Sequence, residues 1–246
     1  MTTTPETAVG RGRVMITNAV TYLKNSDDVW KTTIIGGLLV LASVLVLPAV
    51  LVWGYVVRVL ERTGRGDDEA PRFDDWRALT IDGAKAVAIL LAYGLLPFVV
   101  GGLLFGSVWL AVGGDPGTIG TAALGIASLL TLATAIAVAY AVPAALAHFA
   151  TAGRLGAGFE FAALRPSLAT GTYAVGWLQA VGIVFAGALL SGLLTEIPIL
   201  GAVLGAIVSF YALVSAYYVI GQTWERLHPV SLEETREQPS AERPAI

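Results

Sequence analysis

The sequence predicts an all-α protein, a polytopic transmembrane helix bundle of about five spans, and two observations carry that prediction. Residues 32–57, 86–112, 118–147, 166–195 and 197–224 contain no Asp, Glu, Lys, Arg or His. About twenty apolar residues in a helix cross a hydrocarbon core of roughly 30 Å, so each stretch suffices with residues left for tilt. The composition agrees: 56% of residues are hydrophobic and only 13% charged, with a mean hydropathy of +0.74, well outside the balance of a soluble domain. Charge is thereby confined to ends and connections. The chain is expected to divide into a polar amino-terminal arm (1–31), a membrane bundle (32–224) and a polar carboxyl-terminal tail (225–246) whose composition predicts disorder.

In the arm, Met15, Ile16, Ala19, Val20, Tyr22 and Leu23 share one helical face, opposite Arg13, Thr17, Asn18, Thr21 and Lys24. This spacing predicts a short amphipathic helix, lying on the membrane surface or packed against the connections of the bundle. Ser26-Asp27-Asp28 offers an N-cap and first-turn acids to the first span, with Trp30 at interfacial depth. The first apolar run is followed by Arg58 rather than by a small-residue cleavage site, so it is expected to be retained in the protein. Its 26 residues are too few for two full crossings. Pro48 is therefore expected to kink one spanning helix, a re-entrant hairpin being the alternative.

The connection 58–85 is the most distinctive polar segment. Asp74 is expected to cap a helix that contains Trp76 and Leu79 and leads into the second span, with Phe73 and Trp76 at the interface. Phe73, Asp74, Asp75 and Trp76 are thus the candidate interfacial hinge and interaction residues. The carboxylates Asp67, Asp68, Glu69, Asp74 and Asp75 lack a ligand spacing and read as a solvated acidic loop. Further along, Pro97 and Pro143 mark packed kinks. Gly102 with Gly106, and Gly201 with Gly205, allow close helix approach within the bundle or between copies of a homo-oligomer. Glu196 beside Pro198 predicts a tight outer turn with a carboxylate at the start of the last helix. An internal repeat is suggested by residues 48–58 (PAVLVWGYVVR) and 143–154 (PAALAHFATAGR), each followed by a related segment, DDWRAL and FEFAAL.

Lys and Arg in the connections set the expected orientation. Six lie in 58–85, two in 148–165 and three from Glu225 onward, against four in the arm and none in 113–117 or at Glu196. The amino terminus is expected outside and the carboxyl terminus cytoplasmic, in a cell membrane. Only Lys24, Lys31 and Lys85 of the 15 basic residues are lysines, and the pI is near 5.4, a pattern that matches a GC-rich, salt-adapted source.

The chemistry of the sequence is mostly negative. There is no cysteine, hence no disulfide, thiolate metal site or thiol nucleophile. No Gly-rich phosphate loop with a Lys, HExxH, GxSxG or acidic calcium loop appears. No catalytic, cofactor-binding or metal-ligating residue can be named, no cofactor is expected, and nucleic acid is not an expected partner. Charge-free spans disfavour ion-coupled transport. His148 is expected to sit at the cytoplasmic interface, and Gln179, the most polar residue deep in a span, to make an interhelical hydrogen bond.

The segments GYVVRVLER, PRFDDW and DGAKAVAILLAYGLLP, with IIGGLL before them and IPILGAVLGAIVSFY near the end, resemble the domain-of-unknown-function family 4013 of archaeal multi-pass membrane proteins. The acidic insertion before PRFDDW departs from that pattern. The resemblance implies an integral membrane protein and supplies no activity or site residue. The expected function is that of a non-enzymatic scaffold or accessory subunit that meets a protein partner at the cytoplasmic connections. The alternative is a small-solute or lipid permease.

Overall fold

A computed structural model describes residues 29–41, 46–67, 69–194, 196–197 and 200–229, and among these it is helical without strands. The helices are α1 (Val29–Leu41), α2 (Val46–Thr63), α3 (Trp76–Val112), α4 (Gly117–Ala152), α5 (Phe161–Leu168), α6 (Gly171–Leu194) and α7 (Leu200–Leu227), with a 3-10 turn at Leu155–Phe159 before α5. The arm helix, the 26–28 cap, Asp68 and the tail beyond residue 229 lie outside the described residues. Among the described residues four helices, α3, α4, α6 and α7, are long and apolar enough to cross a membrane. With 37 and 36 residues, α3 and α4 are each about 55 Å long.

The first apolar stretch is divided rather than kinked, which corrects the expectation of one spanning helix. Pro48 lies in the first turn of α2, where a missing N–H costs nothing, and not at a mid-helix bend. Gly36 in α1 packs against the ring of Phe210, and Tyr55 in α2 meets the same ring at 5.5 Å. Nineteen residues of straight helix would separate these positions by about 28 Å. The two helices therefore share one stretch of α7 instead of extending one another. The fourth stretch is also shorter than read: Thr170 Oγ1 accepts the N–H of Tyr173 at 3.1 Å, so an N-cap starts α6 at Gly171 and leaves Pro166 in the separate helix α5.

Half of the apolar window of α7 is buried, against 17% or less in the other three spans, so α7 is the central helix. Small residues allow its close neighbours. A methyl group on Gly176 would meet Thr223, one on Gly187 the Cβ of Ala212, and one on Gly221 the hydroxyl of Thr63. Gly201 and Gly205 pack in the same way against Leu194 and Ser191 of α6, whereas Gly102 and Gly106 face open space. One of the two glycine pairs thus serves packing within the bundle. The crossing of α2 over α3 is backbone on backbone: an added Cβ on Gly54 would strike the carbonyl of Leu79, and one on Gly83 that of Val50.

The α3/α4 and α6/α7 hairpins join at the end that carries residues 64–75 and 153–170, called here the connector end. Toward the opposite turns, large apolar side chains are exposed, among them Phe98, Leu110, Ile119, Phe185 and Leu193. In water such a surface would drive aggregation; in a bilayer it is the lipid contact. Hydroxyls on α4 are satisfied by their own helix, as Thr121, Ser128, Thr131 and Thr134 donate to the carbonyls of Gly117, Leu124, Ala127 and Leu130 at 2.7–2.9 Å. Pro143 cannot donate to the carbonyl of Ala139. Trp177 Nε1 on α6 supplies that bond instead, at 3.0 Å. Beside it Tyr173 OH donates to the carbonyl of Tyr140 at 2.8 Å, and Tyr140 OH to that of Leu168 at 2.9 Å. The proline gap is therefore part of the joint between the hairpins.

The two segments read as a repeat share a device. Arg58 in the last turns of α2 binds Asp74 ahead of α3, and Arg154 after α4 binds Glu160 ahead of α5. Leu79 and Leu164, at matching positions in DDWRAL and FEFAAL, are both fully buried. The segments diverge beyond that point, since α3 continues for 37 residues whereas α5 stops after 8.

Candidate interaction face at the connector end

The charged connections fold against the bundle. Arg58, with 16% of its side chain exposed, donates from Nη1 to the carbonyl of Asp74 at 2.7 Å and to its Oδ1 at 2.8 Å, and from Nη2 to the carbonyl of Asp75 at 3.1 Å. One planar guanidinium thereby fixes the approach to α3. The cap is Asp75, not Asp74: its Oδ1 accepts the N–H of Ala78 at 3.1 Å. Asp75 holds a left-handed backbone, φ 46°, which Asp tolerates better than most residues. The expectation for Asp74 was one residue early because Arg58 claims that side chain.

Phe73 is the aromatic anchor. Its ring stacks on Tyr55 at 4.5 Å and lies 6.1 Å from Phe210, while Tyr55 OH donates to the carbonyl of Pro71 at 3.0 Å. Trp76 stacks on the outer side of Phe73 at 6.0 Å and is 47% exposed. The four candidate residues do come together, in distinct roles: anchor, clamp, cap and exposed ring.

The described acids of the loop stay about half exposed and pair loosely. Asp67 and Glu69 stand 3.6 and 3.9 Å from Arg62, and Asp67 Oδ1 accepts the N–H of Glu69 at 2.9 Å. Between the end of α2 and the loop is a depression of about 520 Å³ lined by Arg58, Glu61, Arg62, Arg65, Asp67, Pro71, Arg72 and Asp74.

A second cluster closes the other half of this face. Arg154 binds both carboxylate oxygens of Glu160, through Nη1 to Oε1 and through Nη2 to Oε2 at 2.9 Å. His148 Nε2 lies 3.3 Å from Glu160 Oε2. The Arg154 guanidinium first, and His148 second, hold the Glu160 carboxyl below the usual carboxylate range. His148 thus has a carboxylate neighbour that the sequence, read locally, did not provide. The two histidines, far apart in sequence, flank one ring: Trp224 lies 5.6 Å from His148 and stacks on His228 at 4.2 Å. Among the described residues no three of His, Cys, Asp and Glu gather as metal ligands.

Inside the bundle, Gln179 Oε1, Tyr211 OH and Ser215 Oγ are buried without a hydrogen-bond partner among the described residues. The expected interhelical bond is thus not made through the carbonyl oxygen of Gln179. Tyr211 and Ser215 lie one turn apart on α7. A small apolar cavity of about 220 Å³ between α1, α6 and α7 is lined by Val40, Val184, Ala188, Ser209, Ala212 and Leu213.

Helices of this length and apolarity, packed on one another through glycines and exposing their large apolar side chains outward, define a multi-pass helical membrane protein. The chain belongs to the DUF4013 family of proteins of unknown function, whose family model matches residues 37–196. The match runs from α1 through α6 and ends before the central helix α7. No curated protein and no solved structure matches the chain.

Proposed function

We propose that the protein is a non-enzymatic membrane scaffold or accessory subunit, and that its working surface is the connector end, on the cytoplasmic side. The observation that carries this reading is that Arg58, Asp75 and Phe73 fix the connection before α3 against the bundle while Trp76 and Arg77, the first two residues of α3, stay exposed. A fixed surface with an exposed aromatic ring and a cation has the composition of an interface centre. The excess of Lys and Arg in 58–85, 148–165 and the tail supports the cytoplasmic side.

The test is purification of the full chain in mild detergent, with quantification of co-purifying protein for the parent and for Trp76→Ala with Arg77→Glu. A stoichiometric partner that the parent retains and the variant loses supports the reading. Equal recovery overturns it. Orientation is tested by single cysteines in the cysteine-free chain: one at Arg77 should resist an impermeant thiol reagent in intact cells, and one at Asp115 should react. The reverse pattern would put the connector end outside.

The second reading, a small-solute or lipid permease, is favoured by the three unpartnered polar atoms of Gln179, Tyr211 and Ser215 in the bundle. Solute uptake by reconstituted protein, abolished by Gln179→Leu, would establish it in place of the scaffold.

A further inference from the structure

We infer that the connection 153–170 is sunk into the bilayer at the boundary between headgroups and hydrocarbon, with Leu155, Phe159 and Phe161 on the lipid chains and Arg165 reaching up to the phosphates. Helix α5 is too short to span, since eight residues cover about 12 Å of a core of roughly 30 Å. Both of its ends are nevertheless bound to tyrosines inside the charge-free runs. Phe159 and Phe161 lie 5.8 Å from the ring of Tyr93, whose OH donates to the carbonyl of Gly158 at 2.8 Å. At the other end Tyr140 OH donates to the carbonyl of Leu168 at 2.9 Å. Tyr93 stands eight residues beyond Lys85, the last charge before the apolar run of α3, and Tyr140 eight residues before His148, which closes the run of α4. Each tyrosine is thus about 12 Å along its helix from the charged end. Two ends held equally far in lay α5 along the boundary, close to the roughly 5–10 Å to which interfacial helices sink their apolar faces.

The outward side of the connection suits that depth. Leu155, Phe159 and Phe161 are 40%, 38% and 58% exposed, while Leu164 and Ser167 are buried against the bundle. The patch continues a surface that already meets lipid. Ile89, Tyr93 and Leu96 share one stripe of α3: Ile89 packs on Gly158 and Tyr93 on the two phenylalanines, and Leu96 beyond them is exposed. Glu160, between the phenylalanines, is bound by Arg154 and lies 3.3 Å from His148, so its charge is carried with a countercharge, as an apolar boundary requires. Arg165 is exposed one turn after Phe161, and its long stem lets the guanidinium snorkel to the phosphates. The connection before α3 then becomes the water-facing half of this end. Nothing here depends on a protein partner, so the inference stands or falls separately from the scaffold reading.

The experiment places single cysteines in the full-length, cysteine-free chain, attaches a nitroxide, and reconstitutes each variant in vesicles of phosphatidylcholine and phosphatidylglycerol. F161C and A162C report on the connection, L96C on lipid and R65C on water. Relaxation of the label is measured with oxygen, which concentrates among the hydrocarbon chains, and with a nickel chelate confined to water. F161C and A162C should follow L96C, with chelate collisions about tenfold rarer than in R65C, the factor that about 1.4 kcal/mol of exclusion from the apolar layer gives. A162C changes only a small exposed side chain and guards against misfolding caused by loss of the Phe161 ring. Chelate collisions in A162C and in a folded F161C as frequent as in R65C would put the connection in water and overturn the inference. Labels shielded from both oxygen and chelate would put protein over the patch, a partner or a second copy, and would overturn it equally.

Discussion

The joint between the two hairpins predicts a specific energetic coupling between Pro143 and Trp177. Proline at 143 leaves the Ala139 carbonyl without its helical donor, and Trp177 Nε1 fills the gap at 3.0 Å. Replacing Trp177 by Phe keeps a ring against Tyr140, now 5.3 Å away in an edge-on contact, but removes the donor. The loss is a net hydrogen bond of about 1 kcal/mol plus the cost of an orphaned carbonyl in a medium without water, so about 2 kcal/mol in all. With Pro143→Ala the N–H of residue 143 supplies the helical bond, and the same Trp177→Phe change should cost only about 1 kcal/mol. The measurement is a double-mutant cycle on equilibrium denaturation in mixed micelles, with an expected coupling of about 1 kcal/mol. If Trp177→Phe costs the same with proline and with alanine at 143, the indole is packing only and the reasoning is wrong.

Three further outcomes follow from the packing and the connector end. Gly54→Ala and Gly83→Ala push a Cβ into backbone carbonyls that cannot give way. Overpacking of about 3 kcal/mol less about 1 kcal/mol of helix propensity leaves a net loss of about 2 kcal/mol. Gly182→Ala, with nothing within 4 Å, should be neutral or stabilising in the same thermal melts. Asp75→Ala forfeits both the cap and a residue suited to positive φ, for about 2 kcal/mol, while Asp75→Asn should stay within about 0.5 kcal/mol of the parent. Asp74→Ala should cost under about 1 kcal/mol because its side chain is 74% exposed, and a larger cost than that of Asp75→Ala would reverse the assignment of cap and clamp. Because the Glu160 carboxyl is held below its ordinary range, its contribution is present above that range and is lost as pH falls through the lowered value. Melts of the parent and Glu160→Gln should accordingly differ at neutral pH and converge as the pH falls through that lowered value; a gap that persists in strong acid would refute the ion-pair origin.

What the sequence made legible was set by local chemistry. Charge-free runs disclose membrane helices because any residue in them faces lipid or another helix, and α3 ends at Val112 where the second run ends. The start of α3, ten residues before that run, is invisible to a charge rule; the Asp82–Lys85 pair at 3.1 Å lets the helix carry charge through its first turns. The division of the first run was signalled by Pro48, but whether a proline bends a helix or opens one depends on its position in the first turn, which Phe210 on α7 decides from 155 residues away or more. Thr170 was a readable cap, a hydroxyl three residues before Tyr173, hidden by the apolarity around it. At the connector, DDW admits either aspartate as cap. The choice is made by Arg58, whose guanidinium takes the earlier one, and no local rule contains that arginine. The same limit applies to His148 and His228, which meet only through Trp224, and to Ala139, whose missing donor is a tryptophan on another helix. Local patterns thus place the helices, while the residues that hold the connector end together are assigned by partners as distant as Phe210 is from Phe73, 137 positions along the chain.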